Sequence, residues 1–200
     1  MAVVSGGTTL IDNGALDSGV PTGSLILLST QTASASASLE FSMDSSYDSY
    51  IFKFINIHPA TDGVQLTFNF STNNGSSYNV TKTTTIFFAQ QSEDGSIVEF
   101  SYDGGKDLAQ STANQKLTGG TSIGAENDEN IVGTLQIFNP SSSVFVKHFI
   151  ANTNTAGSYP TSSNSFIAGY GNTTSPITNI KFEMDSGNID DGIIKMYGVK

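Results

Sequence analysis

The sequence contains no cysteine and no arginine, and each absence excludes a class of chemistry. Without cysteine there is no disulfide, no thiolate metal ligand and no thiol nucleophile. The basic residues are eight scattered lysines, and the net charge is −10. Because nucleic-acid binding needs a basic surface that displaces counterions from phosphates, we expect no nucleic-acid partner, and equally no attraction to an anionic membrane.

Charge of either sign is scarce, at 13 % of the residues, which is about half the usual share. Ser, Thr, Asn and Gly take its place, while 13 Phe and 7 Tyr provide enough apolar surface for a core. The first residues lack the charged and apolar regions of a secretion signal, and no run approaches the roughly 18 apolar residues of a membrane-spanning helix. We therefore predict no membrane insertion, and synthesis in a cytoplasm.

Apolar residues recur at every second position over most of the chain, a period typical of strands. The stretch VQLTFNF (64–70) places its Val, Leu and Phe residues on one face and Gln65, Thr67 and Asn69 on the other. We expect the first set to be buried and the second to be far more exposed. Similar runs predict about ten or eleven strands, separated by turn sequences such as the Asn-Gly pair in STNNGSSY.

These patterns predict an all-β fold, a single jelly-roll-like antiparallel β-sandwich with a short N-terminal arm. Residues 1–22 are Gly-rich and weakly patterned, so we assign them to an arm or anchoring segment, and residues 23–200 to the β-sandwich domain. Two long polar stretches, 103–130 and 152–165, are expected to be outward-facing loops.

The stretch TASASASLEF (32–41) alternates small apolar and small polar residues before Leu39 and Phe41 continue the same parity. This alternation predicts a strand whose alanines present a flat face, either to a neighbouring sheet or subunit or to a narrow end of the sandwich itself.

No group of residues satisfies the requirements of a catalytic, cofactor-binding or metal site, and we assign none of the three. His58 and His148 lack evident partners, so we interpret both as structural. The acidic groups Asp44–Asp48 and Glu126–Asn130 do not match a calcium loop. Three tyrosines near loop ends could stack on sugars, although half-buried rims of the sandwich suit them better. These are Tyr78, Tyr159 and Tyr170.

Several blocks together resemble a module in structural proteins of tailed bacteriophages, including marine ones. They are GSLILLSTQTASASASLEFS, YDSYIFKFINIHPATDGVQLTFNFSTNNGSSY, GTLQIFNPSSSVFVKHFI and SGNIDDGIIKMYGVK. The resemblance spans residues 23–200 and implies a non-enzymatic virion protein on the particle surface: a capsid decoration, a head-fibre protein or a tail-attached knob. The alternative is a receptor- or glycan-binding tail-fibre protein that mediates host adsorption.

The resemblance also implies other virion proteins as partners, a homo-oligomer with a trimer as one option, and no cofactor. A long fibre shaft would need a sustained repeat, which this chain lacks, so a compact attached domain is favoured.

Overall fold

The computed structural model describes residues 3–12, 15–16 and 25–200, and this part of the chain forms fifteen strands and no helix. The strands are β1 (Val3–Ser5), β2 (Thr8–Asp12), β3 (Ala15–Leu16), β4 (Leu25–Thr32), β5 (Leu39–Ser42), β6 (Ser49–Pro59), β7 (Leu66–Ser71), β8 (Lys82–Ser92), β9 (Val98–Tyr102), β10 (Gln115–Lys116), β11 (Ile131–Phe138), β12 (Lys147–Ala156), β13 (Thr161–Gly171), β14 (Asn179–Met184) and β15 (Ile189–Val199).

Two antiparallel sheets pack together as a β-sandwich, which confirms the predicted fold class. Eight of the strands follow jelly-roll order. One sheet contains β4-β15-β6-β11 and the other contains β5-β14-β7-β10, so the chain crosses repeatedly between the two layers. Every pair within these sheets is antiparallel.

Two inserted hairpins extend the first sheet well beyond the second. The hairpin β8–β9 lies between β7 and β10 in the chain, and β12–β13 lies between β11 and β14. Strand β12 pairs with β11, and β8 pairs with β13, so the second hairpin lies between β11 and the first. The sheet therefore has eight strands in the order β4-β15-β6-β11-β12-β13-β8-β9. The second sheet has only four, and half of the large sheet therefore needs another cover.

The core between the sheets is built on interlocking phenylalanines. Phe182 of β14 lies 5.3 Å from Phe52 and 5.2 Å from Phe54 of β6, measured between ring centroids. Phe68 of β7 meets Phe149 of β12 edge to face at 5.0 Å. Such tilted and perpendicular pairs stabilise the core beyond the area they bury.

Residues 108–123, which we call the cover segment, close the inner side of the sheet extension. They lie in the polar stretch 103–130 that the sequence predicts to be an outward-facing loop, and that prediction is wrong for this part: Leu117 and Ile123 are fully buried, and Gln115 begins β10. Small hydroxyl side chains of β12 and β13 hold the segment in place. Thr153 donates to the Leu117 carbonyl at 2.5 Å, and Ser163 donates to the Gly119 carbonyl at 2.7 Å.

The cover segment also explains why the alternation predicted for residues 64–70, most of which form β7, is only half correct. Val64, Leu66, Phe68 and Phe70 are buried as expected. The polar residues Gln65, Thr67 and Asn69 are buried as well, at 5 %, 1 % and 1 % exposure. They bond to side chains and carbonyls of the cover segment, as when the Asn69 amide donates to the Thr112 carbonyl at 3.0 Å.

Two further expectations are corrected by the strand boundaries. Residues 33–38 do not form a strand, because Ala35 adopts a left-handed φ of 48° and the segment turns from β4 toward β5. Ala33 is buried while Ala35 and Ala37 are exposed, so the alanines share no flat face. The second polar stretch, 152–165, is no loop either: it comprises the ends of β12 and β13 and the turn between them.

The described residues of the N-terminal arm form a small sheet of their own, in the order β1-β2-β3. Val3 and Val4 are about half exposed, at 48 % and 56 %. The remainder of the predicted arm, including residues 17–22, lies outside the described residues, as do residues 23–24.

Candidate functional site

The outer face of the eight-stranded sheet, the side opposite the core, is the most distinctive surface in the described part of the chain. Five neighbouring strands, in the order β11-β12-β13-β8-β9, form the larger part of this face. Each of their outward-pointing residues is apolar or carries an uncharged polar side chain, apart from His148. The chain nevertheless has a net charge of −10, so its acidic residues lie elsewhere. Depletion of charge is what distinguishes the centre of an interface from ordinary protein surface.

An apolar patch lies at the β9 end of this face. It consists of Ile150, Phe166, Phe87, Val98, Phe100 and Tyr102. The strand register places Phe166 opposite Phe87 and Phe87 opposite Tyr102, so three aromatic residues lie side by side across β13, β8 and β9. Phe87 stacks on Phe166 with 5.0 Å between ring centroids and 12° between planes.

The apolar patch has an area at the upper end of the range of about 300–600 Å² that is typical of the largest such patch on a monomeric protein. Val98 is 77 % exposed and Phe100 is 74 % exposed, while the other members range from 38 % to 56 %. Together the six side chains leave about 600 Å² open, taking roughly 150–250 Å² for a whole aromatic side chain. Apolar patches of that size are often functional, and binding of another macromolecule is a common function for them.

Strand β9 combines this patch with an open sheet edge. It is the last strand of the large sheet, and four of its five residues are exposed. Tyr102 donates a 2.5 Å hydrogen bond to Asp107, which fixes the ring and raises the pKa of the phenol. Natural proteins usually protect such an edge with lysines, proline or a bulge, yet Glu99 is the strand's one charged residue.

A shallow groove of about 450 Å³ lies on the same outer face, next to the apolar patch. Its walls include Tyr170, Phe138 and His148, together with Thr83 and Thr85. The His148 and Tyr170 rings are neighbours, with 5.9 Å between their centroids. The groove therefore has a mainly apolar lining that includes the rings of Tyr170 and Phe138 beside His148.

The two histidines are not brought together around a common site. His148 stands on the outer face, in β12. His58 lies at the end of β6, where its Nε2 is 3.1 Å from the Glu126 carbonyl and its Nδ1 is 3.9 Å from the Asp190 carboxylate. These contacts tie His58 to the loop 124–130 and to β15.

The acidic groups have partners within the chain. The Asp44 carboxylate accepts hydrogen bonds from the Ser46 amide and the Tyr50 hydroxyl, both at 2.8 Å, and these bonds lower its pKa. The Glu129 carboxylate accepts a bond from the Glu126 amide at 2.9 Å. Among the described side chains, no three of His, Asp and Glu are grouped so that they could hold a metal ion.

The three tyrosines differ in their access to a ligand. The Tyr78 hydroxyl donates to Glu40 at 2.9 Å, and the Lys181 ammonium lies 5.1 Å from the ring centroid. Tyr159 is half exposed at a loop, and Tyr170 lines the groove. Of the three, Tyr170 is the one that shares a concave surface with other aromatic residues.

Sequence reasoning missed the apolar patch. The alternation in SIVEFSY predicts β9 correctly, but a period of two does not say which side of a strand is covered. A usable signal was nevertheless present: the residues between Val98, Phe100 and Tyr102 are polar, so the strand has one wholly apolar face.

Comparison with protein-family models, with curated proteins and with solved structures finds no match. Within the described residues, no helix has the length and apolar character needed to cross a membrane.

Proposed function

We propose that this chain is a non-enzymatic structural protein of a tailed bacteriophage particle, exposed on the particle surface as a capsid decoration, head-fibre or tail-attached knob protein. The observation that carries the proposal is the apolar patch, together with the absence of charged side chains from the outer face of β11, β12, β13, β8 and β9. A surface of this kind is stable in water when another protein covers it, and a particle provides such a protein in many copies.

The architecture is consistent with this role. Jelly rolls include building blocks of viral shells and lectin domains, so the fold is compatible with a structural or a binding task, and the choice depends on the surface. The Ser- and Thr-rich composition has a structural use here, because buried hydroxyls hold the cover segment and so complete the second layer of the sheet extension. The sequence resemblance to phage structural modules supports the same conclusion.

The test is whether the protein occurs in purified particles of the phage that encodes it. We expect a fixed copy number by quantitative mass spectrometry and a surface position by antibody labelling in electron micrographs. A phage carrying Ile150→Lys should lose the protein from its particles, because a charge in the apolar patch opposes docking. Leu27→Lys, which changes a similarly exposed residue at the opposite end of the same sheet, is the matched control. Particles without the chain would contradict the proposal.

The groove supports a second candidate function, receptor or glycan binding during host adsorption. Sugar rings stack on aromatic side chains and bond to polar groups beside them, and Tyr170 and His148 are neighbours in this groove. A glycan array with the purified protein tests this candidate. Binding that Tyr170→Ala removes and Tyr159→Ala retains would support it, and an array without signal would exclude it for the glycans presented.

A further inference from the structure

We infer that β9 is a self-pairing edge, through which two copies of this chain join their large sheets antiparallel about a two-fold axis at Phe100. The inference deepens the proposed structural role by naming the partner as a second copy. It is tested on the isolated protein, so its outcome does not depend on whether the chain resides in a particle.

The hydrogen bonds that bracket β9 show which of its main-chain groups are free. The Ser92 amide donates to the Ile97 carbonyl, and the Asp103 amide donates to the Ile86 carbonyl, both at 3.0 Å. Bonded pairs alternate with non-bonded pairs along an antiparallel ladder. The register therefore directs the main-chain groups of Glu99 and Ser101 toward β8.

It follows that the amides and carbonyls of Val98, Phe100 and Tyr102 point away from β8, outward from the open edge of the sheet. A two-fold axis through Phe100 places Phe100 opposite Phe100 of the second copy and Val98 opposite Tyr102 of that copy. These pairs are the ones whose groups are free. Each can exchange two hydrogen bonds, so all three free positions of both strands are satisfied together.

The side chains suit the same register. Glu99 falls opposite Ser101 of the other copy, so the axis brings no two carboxylates into direct opposition. On the outer face, two Phe100 rings meet at the axis and each Val98 packs beside a Tyr102. Aromatic and β-branched cross-strand pairs of this kind stabilise a sheet. The strand is thus complementary to itself, as a two-fold interface requires.

Pairing through β9 also joins two apolar patches into one. A single patch of about 600 Å² falls below the roughly 800 Å² that each partner contributes to a standard interface. Two patches side by side exceed it. The paired sheets would therefore present one continuous apolar surface, large enough for stable attachment to a further protein. By itself the strand-to-strand contact is small, so we expect a monomer–dimer equilibrium that depends on concentration.

The first measurement is sedimentation velocity of the purified chain over a dilution series. We expect dimers that dissociate on dilution and that strengthen with added salt, because each copy carries a net charge of −10. Phe100→Lys should weaken dimerisation by about tenfold or more, since it places two like charges at the axis. Ile150→Lys changes an exposed apolar residue on the same face, three strands from the edge, and should dimerise like the parent.

Amide hydrogen exchange provides the second measurement and reads the register directly. The Phe100 and Tyr102 amides should become protected as the concentration rises, while the amides of Glu99 and Ser101, already bonded to β8, should not change. A chain that stays monomeric at every concentration would overturn the inference. So would a dimer that Ile150→Lys disrupts and Phe100→Lys does not, because that result indicates face-to-face stacking of the sheets.

Discussion

At the scale of single residues, the core depends on a few large side chains that touch both sheets. Phe68 is fully buried and lies 5.1 Å from Phe70 and 5.0 Å from Phe149 between ring centroids. We expect Phe68→Ala to lower the free energy of unfolding by about 3–5 kcal/mol, because it removes apolar contact and leaves a cavity.

Chemical denaturation of both proteins measures this loss. Phe145→Ala, at a position that is 67 % exposed, is the control and should stay within about 0.5 kcal/mol of the parent. An unchanged free energy of unfolding for Phe68→Ala would contradict the placement of β7 at the centre of the core.

Lys82 is a buried cation with no carboxylate among its bonding partners. Its ammonium donates to the Asn69 side-chain oxygen at 2.6 Å and to the Val80 carbonyl at 2.8 Å. Burial lowers the pKa of Lys82 from 10.5 to about 7. Between these two values the unfolded chain holds a proton that the folded chain releases, so Lys82 makes the free energy of unfolding increase as the pH rises through that window.

Replacing Lys82 by methionine should remove this dependence. From about pH 7 to about pH 9.5, the parent should gain on the order of 3 kcal/mol relative to Lys82→Met. Lys106 and Lys147, whose pKa values are also lowered by burial, remain in both proteins and cancel in the difference. Urea denaturation at several pH values measures the two curves. Lys195→Met on the outer face is the control, and parallel curves for parent and Lys82→Met would contradict the prediction.

At the scale of elements, the sequence predicts the positions of the strands well, but it predicts poorly which faces of a strand are covered by other segments. The stretch NIKFEM corresponds to β14, and most other predicted runs overlap an observed strand within a few residues. Period and turn chemistry are local properties, so one chain segment contains all the information they need. Whether the second face of a strand is covered depends on a segment distant in sequence, so alternation alone does not predict that Thr67 and Asn69 of β7 are buried.

The cover segment gives the clearest test of that long-range contribution. Leu117 lies in a stretch of Ser, Thr, Gly and Asn, yet it is completely buried and its carbonyl accepts the hydroxyl of Thr153. We expect Leu117→Ala to reduce the free energy of unfolding by about 2–5 kcal/mol.

The matched control is Leu27→Ala at a position that is 52 % exposed, where the loss should stay near 0.5 kcal/mol. Thermal unfolding followed by calorimetry compares the variants. Similar melting points for both leucine variants would mean that residues 108–123 do not pack as a second layer.

At the scale of the whole molecule, the sequence predicts the jelly-roll class but not the surface on which a function would depend. The two inserted hairpins enlarge one sheet, and only their pairing brings Phe166, Phe87 and Phe100 onto a common face. These residues are 79 positions apart along the chain at their most distant, from Phe87 to Phe166. Composition and periodicity do not indicate that these residues lie close together, so the apolar patch as a whole is identified only from the structure.

The N-terminal arm is the part of the molecule whose contributions to folding and to assembly can be measured separately. Its described strands pair with one another, and all eight jelly-roll strands lie within residues 25–199. Deleting residues 1–20 therefore retains each of the strands that form the two large sheets. We expect the truncated protein to melt at the same temperature as the parent, within the error of calorimetry.

If the arm anchors the protein to a sister subunit or another virion protein, the truncated chain should fold yet fail to load onto particles. A short segment with exposed apolar residues gains affinity by adding main-chain hydrogen bonds and side-chain pockets to a neighbour's sheet, and Val3 and Val4 are suitably exposed. Replacing both valines by serine is a narrower variant and should reduce the copy number without altering stability. Loading of the truncated chain at the parental copy number would contradict the anchoring role, and loss of its cooperative melting would show instead that the arm is required for the fold.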